Sequence, residues 1–257
     1  MISRRSLVLA RLSGRLLLSD PAPMIITIAM PLILAPFLVP AARAQLQLAG
    51  YPTASGGDQI IPGLAVLFAF LSTQLVGTLF FREHAWGTWD RLRASPATTA
   101  DIVLGKVTPL YVAQLAQLGV LLAAGWLLFG YRPDGSMEAL AAVAVVFTAM
   151  LVAYAVMLVA ICPTMDMALV LGNLGGMVMA GLGGALAPVS SLPQWAQVVA
   201  HLSPAYWALT AMRSITLDHA GLADVAGSLG LLLLFGAAFS AVAAWRFRPA
   251  AAKIGTT

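Results

Sequence analysis

An all-α polytopic membrane protein with six transmembrane helices follows from three features of this sequence. Apolar residues make up 60% of its 257 and charged residues only 9%, whereas a soluble domain carries about a quarter charged residues. The mean hydropathy is +0.91. The apolar residues gather in runs of about 20, the length a helix needs to cross the hydrocarbon core. Finally, the Lys and Arg residues divide unevenly between the connections that alternate from one side of a membrane to the other.

The chain opens with SRRSLVLARLSGRLLL, residues 3–18. Arg4, Arg11 and Arg15 fall on one face of a helix and Leu9, Leu12 and Leu16 on another, which predicts an N-terminal amphipathic helix lying in the membrane interface. The first span is expected over 23–42. A secretory reading competes: Ser3-Arg4-Arg5 begins like a twin-arginine signal, and Ala42-Arg43-Ala44 before Gln45 resembles a cleavage site. Arg11, Arg15 and Asp20 separate the Arg pair from the apolar run, and the run is long enough to stay as a span. A second span is expected over 60–81 and a third over 102–129. Between them lies the one compact, charged, aromatic-bearing stretch, FREHAWGTWDRLRASP, from Phe81 to Pro96. Pinned close to the membrane by both spans, it is expected to hold a short helix over about 83–95.

Tyr131 to Ser136, YRPDGS, is a turn by composition. The fourth span is expected over 137–161, broken by Pro163-Thr-Met-Asp166 before a fifth over 167–187. The fifth carries Gly172, Gly176, Ala180 and Gly184 at steps of four, a stripe that lets another helix approach closely. Asn173 beside the stripe is the polar exception, suited to an interhelical hydrogen bond, the more ordinary role, or to a substrate path. Two apolar pieces follow, over 193–202 and 204–217, opened by Ser191-Leu-Pro193 and Ser203-Pro204. Each is too short to cross, and a re-entrant pair of half-helices before the sixth span is the expected arrangement. The sixth span is expected over 222–245.

Eleven of the 14 Lys and Arg residues then fall on one side: Arg4, Arg5, Arg11, Arg15, Arg82, Arg91, Arg93, Lys106, Arg246, Arg248 and Lys253. Arg43, Arg132 and Arg213 fall on the other. Both termini and the stretch at 81–96 are expected to be cytoplasmic, and the half-helix pair to face outward. The formal charge of +4 is spread as bilayer topology requires, so nucleic acid is not an expected partner, whereas membrane lipid is. The lone Cys162 excludes a disulfide within the chain and reads as a small buried apolar side chain. No phosphate-binding GxxxxGK[ST], no HExxH and no Cys-His set with metal-ligand spacing occurs. No catalytic or metal residue is therefore assigned, and His84, His201 and His219 read as solvated or capping histidines. Asp101, Glu138, Asp166, Asp218 and Asp224 lie near expected span ends, so the spans lack the carboxylates of a proton-driven carrier. Any uphill transport needs another energy source.

At the stretch between the second and third spans the chain resembles the membrane subunits of type-2 ABC transporters, the permease family that includes bacterial drug and antibiotic exporters. The residues that carry the likeness are Arg82-Glu83, Gly87-Thr88, Leu92, Pro96 and Gly105-Lys106. Leu192-Pro193, Trp195, Pro204 and Tyr206 carry it again at the half-helices. It covers nearly the whole length, which then reads as a single transmembrane permease domain, 1–257.

The resemblance implies that the segment at 83–95 is a cytoplasmic coupling helix resting in a cleft of a separate ABC ATP-binding subunit. Arg82, Glu83, Trp86, Gly87, Thr88, Trp89, Leu92 and Arg93 would be the ATPase-coupling residues. Trp86, Trp89 and Leu92 recur at three-residue steps and make an apolar ridge suited to docking. A membrane-surface helix anchored by its Trp residues is the open alternative. The resemblance also implies a homodimer or heterodimer of six-span halves over two ATPase copies, with ATP and Mg on the ATPase and no cofactor on this chain. It places a translocation path along the second and fifth spans, where Thr73, Gln74, Asn173 and Met177 are the candidates. Trp195, His201, Tyr206 and Trp207 would form an outer gate, although interfacial anchoring accounts for the same aromatics.

The function expected is that of a permease subunit, not itself an enzyme, of an ATP-driven exporter in the bacterial cytoplasmic membrane. Its cargo would be a hydrophobic or amphipathic small molecule: a drug, an antibiotic or a lipid-like compound. Export of a lipid-linked glycan, and a non-transporting scaffold that recruits a cytoplasmic partner, are the alternatives.

Overall fold

The computed structural model describes residues 4–85 and 98–246. They form helices α1 (Arg4–Ser19), α2 (Ala22–Leu48), α3 (Gly57–Leu71), α4 (Gln74–Ala85), α5 (Thr99–Leu128), α6 (Met137–Ile161) and α7 (Met165–Leu182). A 3₁₀ turn at Val189–Ser191 leads to α8 (Gln194–Ala200), α9 (Pro204–Leu217) and α10 (Ala226–Arg246). Among the described residues there is no strand, and six helical stretches are long and apolar enough to cross a membrane. They are Ala22–Leu48, Gly57–Phe81, Ala100–Leu128, Met137–Ile161, Met165–Leu182 and Ala226–Arg246.

The middle spans start and stop where their caps dictate. Ser136 and Thr164 accept the Ala139 and Met167 N–H groups and open α6 and α7. Helix α6 runs from Met137 to Ile161. The first span runs six residues beyond the expected 42, so Ala42-Arg43-Ala44 lies inside a helix. The fifth is shorter than expected, ending at Leu182, because Gly184 takes a left-handed φ of 90° and turns the chain.

The second span departs most from expectation. It is two helices, α3 and α4, separated by a turn at Ser72–Thr73. There the Thr73 N–H bonds to Phe70 O, and the hydroxyls of Ser72 and Thr73 bond back to Ala69 O (2.9 Å) and Phe70 O (2.6 Å). Such hydroxyl bonds compete with the helical ladder. From α5, the Gln114 amide donates to Ala69 O at 3.0 Å and to Ser72 Oγ at 3.3 Å. In a membrane every freed carbonyl needs such a donor.

Helix α3 is the centre of the bundle and is largely buried. Its neighbours reach it through glycines. A Cβ on Gly63 would overlap the Ala185 carbonyl, one on Gly57 the Phe129 carbonyl, and one on Gly125 the Ile61 side chain. The stripe of α7 is likewise a packing face: Gly172 and Gly176 are buried, and a Cβ on Gly176 would lie 2.9 Å from Phe70 Cβ. Phe70 meets Phe147 and Tyr154 edge-on at 5.9 and 6.0 Å, and Tyr154 meets Phe239 at 5.4 Å, tying α3, α6 and α10 together. Each pair contributes about 0.5–1.5 kcal/mol beyond its buried area. Helices α2, α7 and α10 leave most of their surface outside the bundle.

Candidate functional site

The bundle has two ends, and each carries part of the candidate site. At the first, α1 is strapped across the start of α5. Thr98 and Asp101 form a reciprocal cap that opens α5. The same Asp101 accepts the Ser6 hydroxyl of α1 at 2.8 Å. Close approach is possible because position 105 has no side chain: a Cβ there would stand 2.5 Å from Leu9 Cβ. One position on, the buried Lys106 reaches across to α4. Its Nζ donates to Leu79 O at 3.0 Å and lies 4.9 Å from the centre of the Phe80 ring. Gly105-Lys106 therefore has a physical meaning: the glycine admits α1 and the lysine clamps the end of the second span.

Arg82 and Glu83 lie in the last turn of α4, continuing the second span beyond Phe81. Trp86, Gly87, Thr88, Trp89, Leu92 and Arg93, with most of the segment expected at 83–95, lie outside the described residues. The described frame holds both flanks of that segment, Ala85 on one helix and Thr98 on the next.

Of the path candidates, Thr73 is buried, and its hydroxyl lies 3.8 Å from where a Gly172 Cβ would stand, so it faces the fifth span. Gln74 is half-buried at the start of α4. Asn173 is also half-buried, and its side chain makes no hydrogen bond among the described residues. It shares an outward face of α7 with Met177, 53% exposed, one turn on. The structure thus joins Thr73 to the stripe and turns Asn173 and Met177 away from the bundle.

At the second end, Ser203 caps α9 through the Ala205 N–H and donates to Met179 O at 2.7 Å, fixing α9 to the end of α7. His201, Tyr206 and Trp207 form one aromatic cluster, with ring centres 4.5 Å apart for His201–Tyr206, 5.9 Å for His201–Trp207 and 5.0 Å for Tyr206–Trp207. The Trp207 indole N–H donates to His201 O at 2.9 Å, and His201 Nδ1 lies 2.9 Å from Gln197 O. Trp195 is 66% exposed and outside this cluster. His219 ends α9 in the left-handed region at φ 54°, and the Ala220 N–H turns back to Ser214 O, the capping role open to a histidine.

Three residues escaped the sequence reading. Asp58 is buried at the start of the second span, where its carboxylate accepts the Ser55 and Arg132 N–H groups at 2.8 and 3.0 Å. Gln114 and Gln117 are buried on α5; Gln114 holds the break in the second span and Gln117 reaches toward Thr27 O at 3.5 Å. Their signal was available, since two glutamines three apart in an apolar run share a face. Among the described residues no group of three or more His, Cys, Asp or Glu could hold a metal ion.

The fold and these contacts define a multi-pass helical membrane protein, held by polar clamps between apolar spans. The chain belongs to the ABC-2 type transporter family, whose model matches residues 9–217. It is 27% identical over 68% of its length to the linearmycin resistance permease protein LnrN of Bacillus subtilis, covering 45% of that protein. It is also 27% identical over 74% of its length to the probable multidrug ABC transporter permease YbhR of Escherichia coli, covering 52%. The chain spans about half the length of the curated relatives it matches. No solved structure matches it significantly.

Proposed function

We propose that this chain is the permease subunit of an ATP-driven exporter, coupled to its ATPase through the segment between α4 and α5. The observation that carries the reading is the clamping of the two helices that flank it. Lys106 fastens the α4 end of the second span to α5, and Ser6 with Gly105 fastens α1 to the same turn of α5. A push that reaches these clamped flanks is delivered to the second span. The break at Ser72–Thr73 gives that span a place to bend, next to the fifth span at Gly172.

In this reading the α1 end faces the cytoplasm and two copies of an ABC ATP-binding subunit, which hold ATP and Mg, in a bacterial cytoplasmic membrane. Two six-span halves enclose the path, with Asn173 and Met177 turned toward it. The aromatic cluster of His201, Tyr206 and Trp207 acts as the outer gate. The relatives named for linearmycin resistance and multidrug transport support a hydrophobic or amphipathic cargo, which a partly polar, methionine-bearing face of α7 suits.

The test is purification of the tagged chain from its native membrane, with identification and stoichiometry of what accompanies it. An ABC ATPase is expected, and Trp89→Asp or Leu92→Asp should remove it and abolish transport while membrane insertion persists. A stable protein that retains no ATPase in mild detergent, or transport that survives both substitutions, overturns the coupling assignment.

A further inference from the structure

A trough of about 900 Å³ lies between α5 and α6 at the end of the bundle that carries α8 and α9. It runs from Gly119 to Leu127 on one helix and from Met137 to Ala144 on the other, a depth of roughly 10 Å at 1.5 Å per residue. Leu122, Leu140 and Ala144 line it, and Trp126, 60% exposed, stands at its rim. Both walls are candidate membrane spans, so the medium that meets this opening is lipid. A second hollow of about 370 Å³ adjoins it and is polar, lined by Tyr51, Ser55, Asp58, Thr216 and His219. Arg132 and Asp134 line both, so the two form one amphipathic groove with a cation and an anion at the junction.

The Arg132 backbone is fixed by its N–H bond to the buried Asp58 carboxylate at 3.0 Å. Both Arg132 and Asp134 are exposed, and Pro133 between them limits the backbone. Arg132 has five donors in a planar fork that matches a phosphate. Asp134, two residues on, accepts from an ammonium.

We propose that this groove holds one phospholipid with a zwitterionic aminoethyl headgroup, a phosphatidylethanolamine. One acyl chain lies in the trough against Trp126, the phosphate is on Arg132 and the ammonium is on Asp134. A headgroup with net negative charge would satisfy Arg132 and be repelled by Asp134. A choline headgroup carries charge but no N–H for the carboxylate. The inference goes beyond the exporter reading and does not depend on it.

The test uses the full chain in phosphatidylcholine vesicles, with a brominated-chain lipid as the quencher and the Trp126 signal isolated as wild type minus Trp126→Phe. Brominated phosphatidylethanolamine is expected to quench Trp126 at about two- to fivefold lower mole fraction than brominated phosphatidylcholine or phosphatidylglycerol, the worth of the one exposed ammonium–carboxylate pair that the other two headgroups do not make, since the phosphate on Arg132 is common to all three. Asp134→Asn should move the ethanolamine curve toward the choline curve, Arg132→Ala should keep the ethanolamine-to-choline ratio and shift phosphatidylglycerol to higher mole fraction, and both should leave quenching of the other tryptophans unchanged, which certifies their fold. Equal quenching by all three lipids means that the trough meets only bulk lipid and overturns the proposal. A preference for phosphatidylglycerol overturns it in favour of a simple basic contact. Trp126 shielded from all three would place a second copy of the chain in the groove, and overturns it as well.

Discussion

The strap between α1 and α5 makes a quantitative prediction. In Gly105→Ala the new Cβ would stand 2.5 Å from Leu9 Cβ, and 3.2 Å from Ser6 O. The first of these is an atom fixed to its helix, which cannot rotate away, and ordinary contact begins at 3.4 Å. Helix α1 must therefore retreat by about 1 Å. The Ser6–Asp101 hydrogen bond, 2.8 Å long, would then stretch past the range in which it counts as a bond. Overpacking costs about 1–3 kcal/mol and the lost bond to a carboxylate about 1.5 kcal/mol, against a gain of about 1 kcal/mol in helix propensity. The net loss is roughly 2 kcal/mol. Gly230→Ala is the matched control: it makes the same change in α10, where no atom lies within 4 Å of the new Cβ, and it should be neutral or slightly stabilising. The assay is the thermal midpoint of the detergent-solubilised protein in a cycle of Gly105→Ala, Ser6→Ala and the pair. Ser6→Ala should lower the midpoint in the parent and lower it less in the Gly105→Ala background. Fully additive losses, or a Gly105→Ala midpoint equal to the parent's, would refute the reasoning.

Two further predictions concern the polar groups between the spans and at their mouth. Gln114→Leu alone should change stability by less than about 1 kcal/mol, because it removes a buried Oε1 that has no partner as well as a donor. Combined with Ser72→Ala it leaves Ala69 O without either side-chain donor, so the double variant should lose about 2 kcal/mol more than the single variants together; strict additivity in thermal midpoints would sink this account. Burial pushes the Tyr131 phenol up to about 12 from 10.0. Above pH 10 the unfolded chain releases a proton from Tyr131 that the folded one keeps, so this residue's contribution to stability should fall by about 1.4 kcal/mol per pH unit until pH 12. Tyr131→Phe should flatten that part of the pH profile, and a wild-type slope in the variant would show that Tyr131 is not the group responsible.

Much of this protein was legible in its sequence, because a bilayer leaves a backbone few options. Where water is absent each polar backbone group must bond within its own helix, so run length and hydropathy placed six spans. The stripe of Gly172 and Gly176 was readable for the same reason: small residues at a period of four have one use when no water drives association. The two motif regions carried the family.

Tertiary structure decided the rest, since it depends on which side chain from a distant run meets a given carbonyl. Ser72 and Thr73 also occur in unbroken helices; the break in the second span exists because Gln114, on another helix, supplies the donor that Ala69 O would otherwise lack. Lys106 read as one more positive charge for topology, yet its stem is buried and its ammonium caps Leu79 O. Trp195 shared a pattern with Tyr206, and only packing separated it from the cluster that Tyr206 forms with His201 and Trp207. Arg132 and Asp134 were a turn by composition, and the fold places them at the mouth of a groove between α5 and α6. Hydrophobicity fixes which segments enter the membrane, because transfer energy is a property of each residue; polar contacts between spans fix how the segments meet, because their energy belongs to pairs that only the folded chain brings together.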